Sequence, residues 1–120
     1  MSGSDKNPVV HLELRTRDLA GCCRFLTELL GWRAEIVRVG GGSYVALDLG
    51  RRLDGGITES DRGCEGWLPY AEVCDIDRMT ERARAAGASV ILPPREGPGG
   101  WRSVLATPTG SEIALWQPKR

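Results

Sequence analysis

The feature that most constrains this 120-residue chain is an order of predicted elements that occurs twice. The segment from His11 to Thr16 alternates like a strand and is followed by Asp18, an amphipathic helix and a glycine. The segment from Pro69 to Cys74 starts the same order again, with Asp75, a second helix and a second glycine after it. A chain of this length can bury one hydrophobic core but not two independent ones. The repeat therefore predicts two half-cores that pair, with a ligand site in the cleft between them.

Module one, from about residue 8 to 60, is predicted to fold in the order βαβββ. Its helix is expected to start after Asp18, a good N-cap, and to end at Gly31. The apolar stripe of this helix is predicted to consist of Leu19, Cys22, Leu26, Leu29 and Leu30, with Phe25 beside it. The four strands are predicted at Val9–Arg15, Trp32–Val39, Ser43–Leu49 and Leu53–Glu59, with a hairpin turn at Gly40, Gly41 and Gly42.

Module two, from about residue 66 to 118, repeats that order after a polar link at Ser60 to Gly66. Its helix is predicted between Asp75 and Gly87, with an apolar stripe formed by Ile76, Met79, Ala83 and Ala86. The strands are predicted at Trp67–Cys74, Ser89–Leu92, Trp101–Ala106 and Glu112–Gln117, with a stop at Pro93 and Pro94, a loop at Arg95–Gly100 and a turn at Thr107–Gly110. The chain is thus predicted to be a single α+β domain, residues 1–120, built from two βαβββ modules.

Composition narrows the classes of partner. The formal net charge is zero and no long run of Lys or Arg occurs, which argues against nucleic acid and against a membrane surface. No run approaches the roughly 18 apolar residues that span a bilayer. The start, MSGSDKNP, lacks the apolar segment of a secretory signal and is expected to be a frayed terminus. The expected location is therefore the cytoplasm.

The four cysteines are Cys22, Cys23, Cys64 and Cys74, and no two of them form a C-x-x-C pair. A structural zinc site is therefore not indicated. In a reducing compartment we expect free thiols in ordinary helix and strand positions.

In this order and spacing, five segments make the chain resemble the vicinal oxygen chelate superfamily, which contains glyoxalase I, bleomycin-resistance proteins and extradiol dioxygenases. The segments are His11-x-x-x-Arg15-x-x-Asp18-Leu19, Phe25-Leu26-x-x-Leu29-Leu30-Gly31-Trp32, Gly55-Gly56-Ile57, Tyr70-x-x-Val73-x-Asp75-Ile76-Asp77 and Thr107-Pro108-Thr109-Gly110-Ser111 with the Ile113–Gln117 strand after it. The resemblance implies a glyoxalase-like fold, in which the two modules form a curled mixed sheet around a cleft, and it implies a homodimer. It does not imply one reaction, because function depends on the site rather than the fold.

Metal-dependent members of that superfamily carry four inward ligands, typically His, Glu or Gln, His, and Glu. The resemblance places these positions on His11, at or near Gly56, on Pro69 and on Ala114. Only His11, the one histidine of the chain, has a side chain that can bind a metal. The sequence therefore predicts that the usual metal site is lost and that no cofactor is bound.

Two alternatives remain open. Glu13 shares a strand face with His11, and Glu112 shares one with Ala114, so a rearranged site of His11, Glu13 and Glu112 could hold a divalent metal ion such as Mg²⁺, Mn²⁺ or Fe²⁺. The His11–Glu13 pair could also act as a metal-free general base. Against both, strand carboxylates often pair with arginines, and the chain offers Arg15, Arg17, Arg33 and Arg102.

Four tryptophans against one phenylalanine and two tyrosines is an unusual balance. Trp116 shares a face with Glu112 and Ala114 by strand alternation, and Trp101 follows a Gly-rich loop that could fold over the cleft. Aromatic walls bind flat ligands by stacking and by excluding water. Trp32 and Trp67 are expected in the core or at a dimer contact, and packing is the alternative for Trp101 and Trp116.

The sequence thus favours a small-molecule-binding protein of the bleomycin-resistance kind over an enzyme. The predicted ligand is an aromatic or natural-product molecule, sequestered as in drug resistance. Its predicted binding residues are His11, Glu13, Trp101, Glu112, Ala114 and Trp116. The alternative is a lyase, isomerase or dioxygenase that uses the atypical metal site.

Overall fold

A computed structural model describes residues 6–39, 42–50, 53–59 and 65–119. The chain divides into two compact units. The first unit is Val10–Leu68, and the second unit is Pro69–Arg120 together with Met1–Val9. The N-terminal stretch belongs to the second unit because the Pro8 carbonyl accepts a 2.8 Å hydrogen bond from the Glu72 amide.

The first unit has the predicted βαβββ order. Its elements are β1 (Val9–Thr16), α1 (Leu19–Leu30), β2 (Arg33–Val39), β3 (Gly42–Asp48) and β4 (Asp54–Glu59). The strands lie in the order β2-β3-β4-β1, with β1 parallel to β4 and the other pairs antiparallel. Gly40 and Gly41 of the predicted turn lie outside the described residues.

The second unit repeats the same topology, which confirms the duplication. Its elements are β5 (Gly66–Glu72), α2 (Ile76–Ala85), β6 (Ser89–Glu96), β7 (Gly100–Ala106) and β8 (Glu112–Pro118). The strands lie in the order β5-β8-β7-β6, and the first and last strands are again the parallel pair. In each unit the parallel strands cannot be joined by a tight turn. The helix and the two strands between them form the longer connection that parallel pairing requires.

The helix ends are set by local chemistry, as predicted. Asp18 accepts a 2.9 Å hydrogen bond from the amide of Gly21, and Asp75 accepts one of 3.1 Å from the amide of Arg78. Each acid satisfies an amide that has no partner within its helix. Helix α1 stops at Gly31, whose φ of 70° lies in the left-handed region that glycine adopts without strain.

Each helix packs on one face of its own four strands. Below α1 the buried residues are Leu26, Val45, Leu47 and Ile57. Below α2 they are Ala71, Val73, Ile76, Leu105 and Leu115. The second core also holds a polar pair, in which the hydroxyls of Thr80 and Ser103 lie 3.0 Å apart and fully buried. In both units, strand alternation therefore sends the remaining side chains to the face opposite the helix.

The predicted stripe of α1 is wrong at its C-terminal end. Leu29 is 63% exposed and Leu30 is 49% exposed, and the neighbouring Phe25 is 62% exposed. The helix faces its strands through Leu26, with Leu19 and Cys23 beside it. The apolar arc of α1 is wider than the strand surface that it covers, so its flank stays in contact with solvent.

The predicted stop of β6 is also wrong. The strand runs through Pro93 and Pro94 to Glu96, so Arg95 and Glu96 lie in a strand rather than in a loop. Proline is tolerated there because β6 pairs with only β7 in this unit, and its ladder shifts register between Val90 and Leu92 and again before Arg95.

Along the part of the chain that the structure describes, no helix is long and apolar enough to cross a membrane. Cys22, Cys23 and Cys74 are free thiols, and Cys64 lies outside the described residues.

Candidate functional site

The face of the second unit that lies opposite α2 is built by the register of its strands. Tyr70 on β5 is opposite Ala114 on β8, and Arg102 on β7 is opposite Trp116 on β8. Strand β7 lies between β8 and β6, and on β6 the residue opposite Arg102 is Arg95. Because paired residues point to the same side of a sheet, these five side chains share one face.

A pocket of about 230 Å³ opens on this face between Arg95, Arg102, Trp116 and the Gly97–Gly100 loop. The loop lies close against the indole edge. A Cβ atom built on Gly99 would lie 3.5 Å from Cη2 of Trp116, and one built on Gly100 would lie 3.0 Å from the same atom. The two glycines therefore bring backbone against the indole edge and leave the pocket open beside the ring.

One wall of the pocket is held in place by a hydrogen bond. Nη1 of Arg102 donates to the hydroxyl of Tyr70 over 2.9 Å. Tyr70 is only 6% exposed, whereas Arg102 is half-buried. The buried phenol thus restrains the guanidinium, which has five N–H donors in a rigid planar fork.

Three predicted site residues of the second unit share this face, and one does not. Glu112, Ala114 and Trp116 alternate along β8 toward it, as predicted. Trp101 points the other way, packs against the core under α2, and has Nζ of Lys119 at 5.6 Å from its ring centroid. Of the two alternatives predicted for Trp101, the structure shows packing. Trp101 is opposite Gln117 and Trp116 is opposite Arg102, so the two tryptophans lie on different faces of the strands.

In the first unit, His11 and Glu13 lie together on the face of β1 opposite α1. Their partners on β4 are Asp54 and Gly56. His11 is half-buried. Burial lowers the pKa of His11 below its ordinary value of 6.5, and the nearby carboxylates of Glu13 and Asp54 oppose this by raising it. The net effect on the His11 pKa is a lowering, so burial favours the neutral imidazole.

The side chains at the four superfamily metal positions do not form a donor set. A Cβ atom built on Gly56 would lie 3.7 Å from Nε2 of His11, so position 56 adjoins the histidine but supplies no ligand. On β5 the register places Tyr70 opposite Ala114, and the side chain of the neighbouring Pro69 has no donor atom. Ala114 itself is fully buried and has no donor atom.

The three residues of the rearranged metal site come from different units. His11 and Glu13 belong to the first unit, and Glu112 starts β8 in the second. Within the described ranges, no three His, Cys, Asp or Glu side chains are grouped closely enough to hold a metal ion. The residues present do not fit the metal group that the superfamily resemblance implies.

Two further pockets lie in the first unit. One, of about 430 Å³, is an apolar groove between α1 and β2–β3, and the other, of about 800 Å³, is lined by charged residues such as Arg33, Glu35, Asp48 and Asp54. Neither has an aromatic side chain among its described lining residues. Of these three pockets, all lined by described residues, the Trp116 pocket is therefore the best suited to a flat ligand.

Sequence reasoning missed Tyr70, Arg95 and Arg102 as site residues. Arg102 was expected to pair with a carboxylate, and it instead bonds to a phenol. Arg102 could have been found by pairing the two predicted strands of the hairpin around the Thr107–Gly110 turn. That pairing places Arg102 on β7 opposite Trp116 on β8. Arg95 could not be found in this way because β6 was predicted to end before it.

The fold and these two faces define a class: an α+β protein of two βαβββ units with a pocket on the helix-free face of the second unit. Residues 9–115 match the model of the Glyoxalase/Bleomycin resistance protein/Dioxygenase superfamily. The chain belongs to this family, and the resemblance seen in the sequence is confirmed.

Two curated relatives have names that indicate different roles. CFP32 of Mycobacterium tuberculosis (strain CDC 1551 / Oshkosh), a glyoxylase candidate, is 31% identical over 117 residues, which cover 91% of this chain and 45% of that protein. The anthracycline biosynthesis protein DnrV of Streptomyces peucetius is 28% identical over 123 residues, which cover 88% of this chain and 45% of that protein. The chain thus spans about half the length of the curated relatives it matches.

Solved structures confirm the fold. Methylmalonyl-CoA epimerase from Mycobacterium tuberculosis superposes with a TM-score of 0.70 at 18% identity and covers 100% of this chain and 93% of its own. The hypothetical protein BH1468 from Bacillus halodurans C-125 superposes with a TM-score of 0.73 at 16% identity, over 95% and 96% of the two chains. At such identities the likeness establishes the glyoxalase-like fold and nothing about the substrate.

Proposed function

We propose that this protein binds a flat aromatic small molecule in the pocket beside Trp116, without a metal ion, and that it sequesters a natural product in the manner of drug-binding members of the family. The observation that supports this most is the indole of Trp116 at the pocket wall, beside the restrained guanidinium of Arg102. An aromatic wall with one or two oriented polar groups is the usual composition of a small-ligand site.

Two of the curated relatives are named for anthracycline biosynthesis. Anthracyclines are polycyclic aromatic natural products, which is the ligand class that a tryptophan wall suits. For this protein we propose only the same class of ligand, polycyclic aromatic natural products, and no biosynthetic step.

The test is calorimetric titration of the purified protein with 2-naphthamide, 2-naphthoate and a water-soluble anthraquinone. The variant Trp116→Leu is compared with Trp67→Leu, which removes an exposed tryptophan of the first unit. We expect at least one probe to bind, with affinity weakened about threefold to tenfold by Trp116→Leu, as the loss of an aromatic contact predicts, and unchanged by Trp67→Leu. Equal losses in the two variants, or no binding by any probe, would contradict the proposal.

A second candidate is proton-transfer catalysis, and the half-buried His11, whose pKa is lowered by burial and which lies beside Glu13, favours it. A neutral imidazole can remove a proton from a carbon acid without a metal. Exchange of an acidic C–H of a bound ligand into deuterated water, followed by NMR and abolished by His11→Gln, would support the enzyme. Exchange that required added Mn²⁺ and was lost in Glu112→Gln would support the atypical metal site instead.

We further infer that the protein is a homodimer. The curated relatives have about twice the length of this chain, enough for two such domains, and a second copy would supply the equivalent of the other half. The exposed apolar flank of α1, formed by Phe25, Leu29 and Leu30, is a surface that such a copy would cover. Light scattering should give twice the monomer mass for wild type and for Ile91→Lys, whereas Leu29→Lys should shift the mass toward the monomer.

The proposed location is the cytoplasm, where the thiols of Cys22, Cys23 and Cys74 would stay reduced. Fractionation of the source cells, with thiol titration of the isolated protein, would test this.

A further inference from the structure

We propose that the Trp116 pocket selects aromatic ligands that carry a carboxylate, with Arg102 and Arg95 holding the carboxylate and the indole of Trp116 holding the ring. This inference rests on the proposed function and deepens it, because it names the chemical class of the ligand at the same site.

Three side chains form a row across neighbouring strands of the second unit. Arg95, Arg102 and Trp116 occupy successive register positions on β6, β7 and β8 and line one pocket. Adjacent strands lie about 4.8 Å apart, so the guanidinium of Arg102 starts one strand away from the indole. A carboxylate attached directly to a fused ring spans a comparable distance, so one ligand can reach both groups.

The two positive charges in this row, those of Arg95 and Arg102, favour the binding of an anion. Two arginines directly opposite each other on antiparallel strands repel, and such like-charged pairs destabilise a sheet. Among the residues that the structure describes, no carboxylate lies within ion-pair distance of Arg95 or Arg102. The adjacent Glu96 is committed elsewhere, since its carboxylate lies 2.8 Å from Nζ of Lys119.

The geometry of Arg102 suits a carboxylate. One N–H of its guanidinium is used by the Tyr70 hydroxyl, which restrains the planar fork. The edge of the fork that remains can donate two parallel hydrogen bonds to a carboxylate, the strongest and most directional way in which arginine binds an anion. Because Arg102 is half-buried and Arg95 is exposed, Arg102 should contribute most of the selectivity.

The pocket volume limits the part of the ligand that can be seated. At about 230 Å³ the pocket lies below the usual range of roughly 300–1,000 Å³ for drug-sized ligands. It can therefore seat one or two fused rings with a carboxylate, while any larger substituent would extend into solvent.

The decisive experiment compares a matched pair of probes, 2-naphthoate and 2-naphthamide, which share the ring and differ in charge. Calorimetric titration of the 120-residue protein should give an affinity for 2-naphthoate that is about tenfold or more above that for 2-naphthamide, the size expected of a charge-assisted bidentate contact. Arg102→Gln should remove this preference and leave the affinity for 2-naphthamide within about twofold. Arg95→Gln should reduce the preference by a smaller factor.

Arg78→Gln is the matched control, because it removes an exposed positive charge from α2 in the same unit. It should leave both affinities unchanged. A measurement on wild type alone covers the case in which Arg102→Gln does not fold. Raising NaCl from low to molar concentration should weaken 2-naphthoate binding and leave 2-naphthamide binding nearly constant, because salt screens only the charged contact.

The outcomes separate this inference from the proposed function. If both probes bind equally and Trp116→Leu weakens both, the aromatic site stands and the carboxylate preference is overturned. If 2-naphthoate is preferred but the preference survives in the Arg95→Gln/Arg102→Gln double variant, the anion is held elsewhere and the inference is also overturned. If neither naphthalene probe binds but the anthraquinone does, the aromatic site stands and the carboxylate preference is overturned. If none of the three probes binds, both proposals are overturned.

Discussion

The guanidinium of Arg102 on β7 and the hydroxyl of Tyr70 on β5 are joined by a 2.9 Å hydrogen bond across the intervening strand β8. The bond passes over the face on which Ala114 lies, and the small side chain of Ala114 leaves room for it. The position at which metal-dependent relatives are expected to carry a carboxylate is thus occupied here by a buried methyl group. In its place the chain has a restrained cation beside a tryptophan.

Removing the phenolic hydroxyl with Tyr70→Phe should free the Arg102 guanidinium without emptying the space of the ring. We expect the affinity for 2-naphthoate to fall about threefold to tenfold, because a hydrogen bond to a charged group contributes on the order of 1 kcal/mol or more. Titration calorimetry measures this, and 2-naphthamide serves as the comparison ligand. An unchanged 2-naphthoate affinity would show that the hydrogen bond does not position Arg102.

The Thr80–Ser103 pair under α2 should behave as a coupled unit. Thr80→Val leaves the Ser103 hydroxyl buried at 0% exposure without its partner. We expect this variant to lower the free energy of unfolding by about 1–3 kcal/mol. Adding Ser103→Ala should recover part of the loss, since neither hydroxyl is then buried alone. Urea denaturation of the four proteins in the double-mutant cycle gives the coupling, and additive losses would contradict it.

His11 should make the stability of the fold depend on pH in a defined direction. Burial lowers its pKa in the folded protein below 6.5, whereas the unfolded chain titrates near 6.5. Above that value both states are neutral and stability is unaffected. As the pH falls below 6.5, the unfolded state takes up the proton first, so the free energy of unfolding declines until the pH passes the lower folded pKa.

His11→Gln should therefore flatten this part of the pH profile. The quantity to compare is the drop in the free energy of unfolding between about pH 7.5 and pH 5.5, measured by urea denaturation of the two proteins. Carboxylates contribute to both profiles alike, so the difference belongs to His11. A larger drop in the variant would mean that the folded state favours the charged imidazole.

Gly56 offers a test of whether a donor side chain at this position would create a metal site with His11. Gly56→Glu places a carboxylate beside the imidazole of His11, since a Cβ at position 56 lies 3.7 Å from Nε2. We expect affinity for Ni²⁺ or Zn²⁺ to rise about tenfold or more over wild type, given that even indirect metal partners change affinity about 10- to 100-fold. The gain should vanish in Gly56→Glu/His11→Gln. Equal metal affinity in wild type and Gly56→Glu would show that position 56 does not adjoin the histidine in solution.

The sequence alone determined the duplicated βαβββ order, both helix N-caps and the family. These follow from local rules: the side chains of Asp18 and Asp75 bond to amides three residues away, and Gly31 supplies a backbone conformation that other residues avoid. The lack of a ligand atom in the side chains of Gly56 and Ala114 is also read directly from the sequence, whereas the absence of a metal ion stays a prediction.

The features that depend on strand pairing, namely the length of β6 and the face on which each side chain lies, were decided only by the tertiary structure. The strand β6 continues through Pro93 and Pro94 because it has no neighbour on its outer side in this unit, and that continuation brings Arg95 opposite Arg102. Trp101 and Trp116 are separated to opposite faces by the register between β7 and β8, which composition cannot indicate. A one-residue change of register moves a side chain to the other face of a sheet, so local pattern identifies the candidates and pairing selects among them.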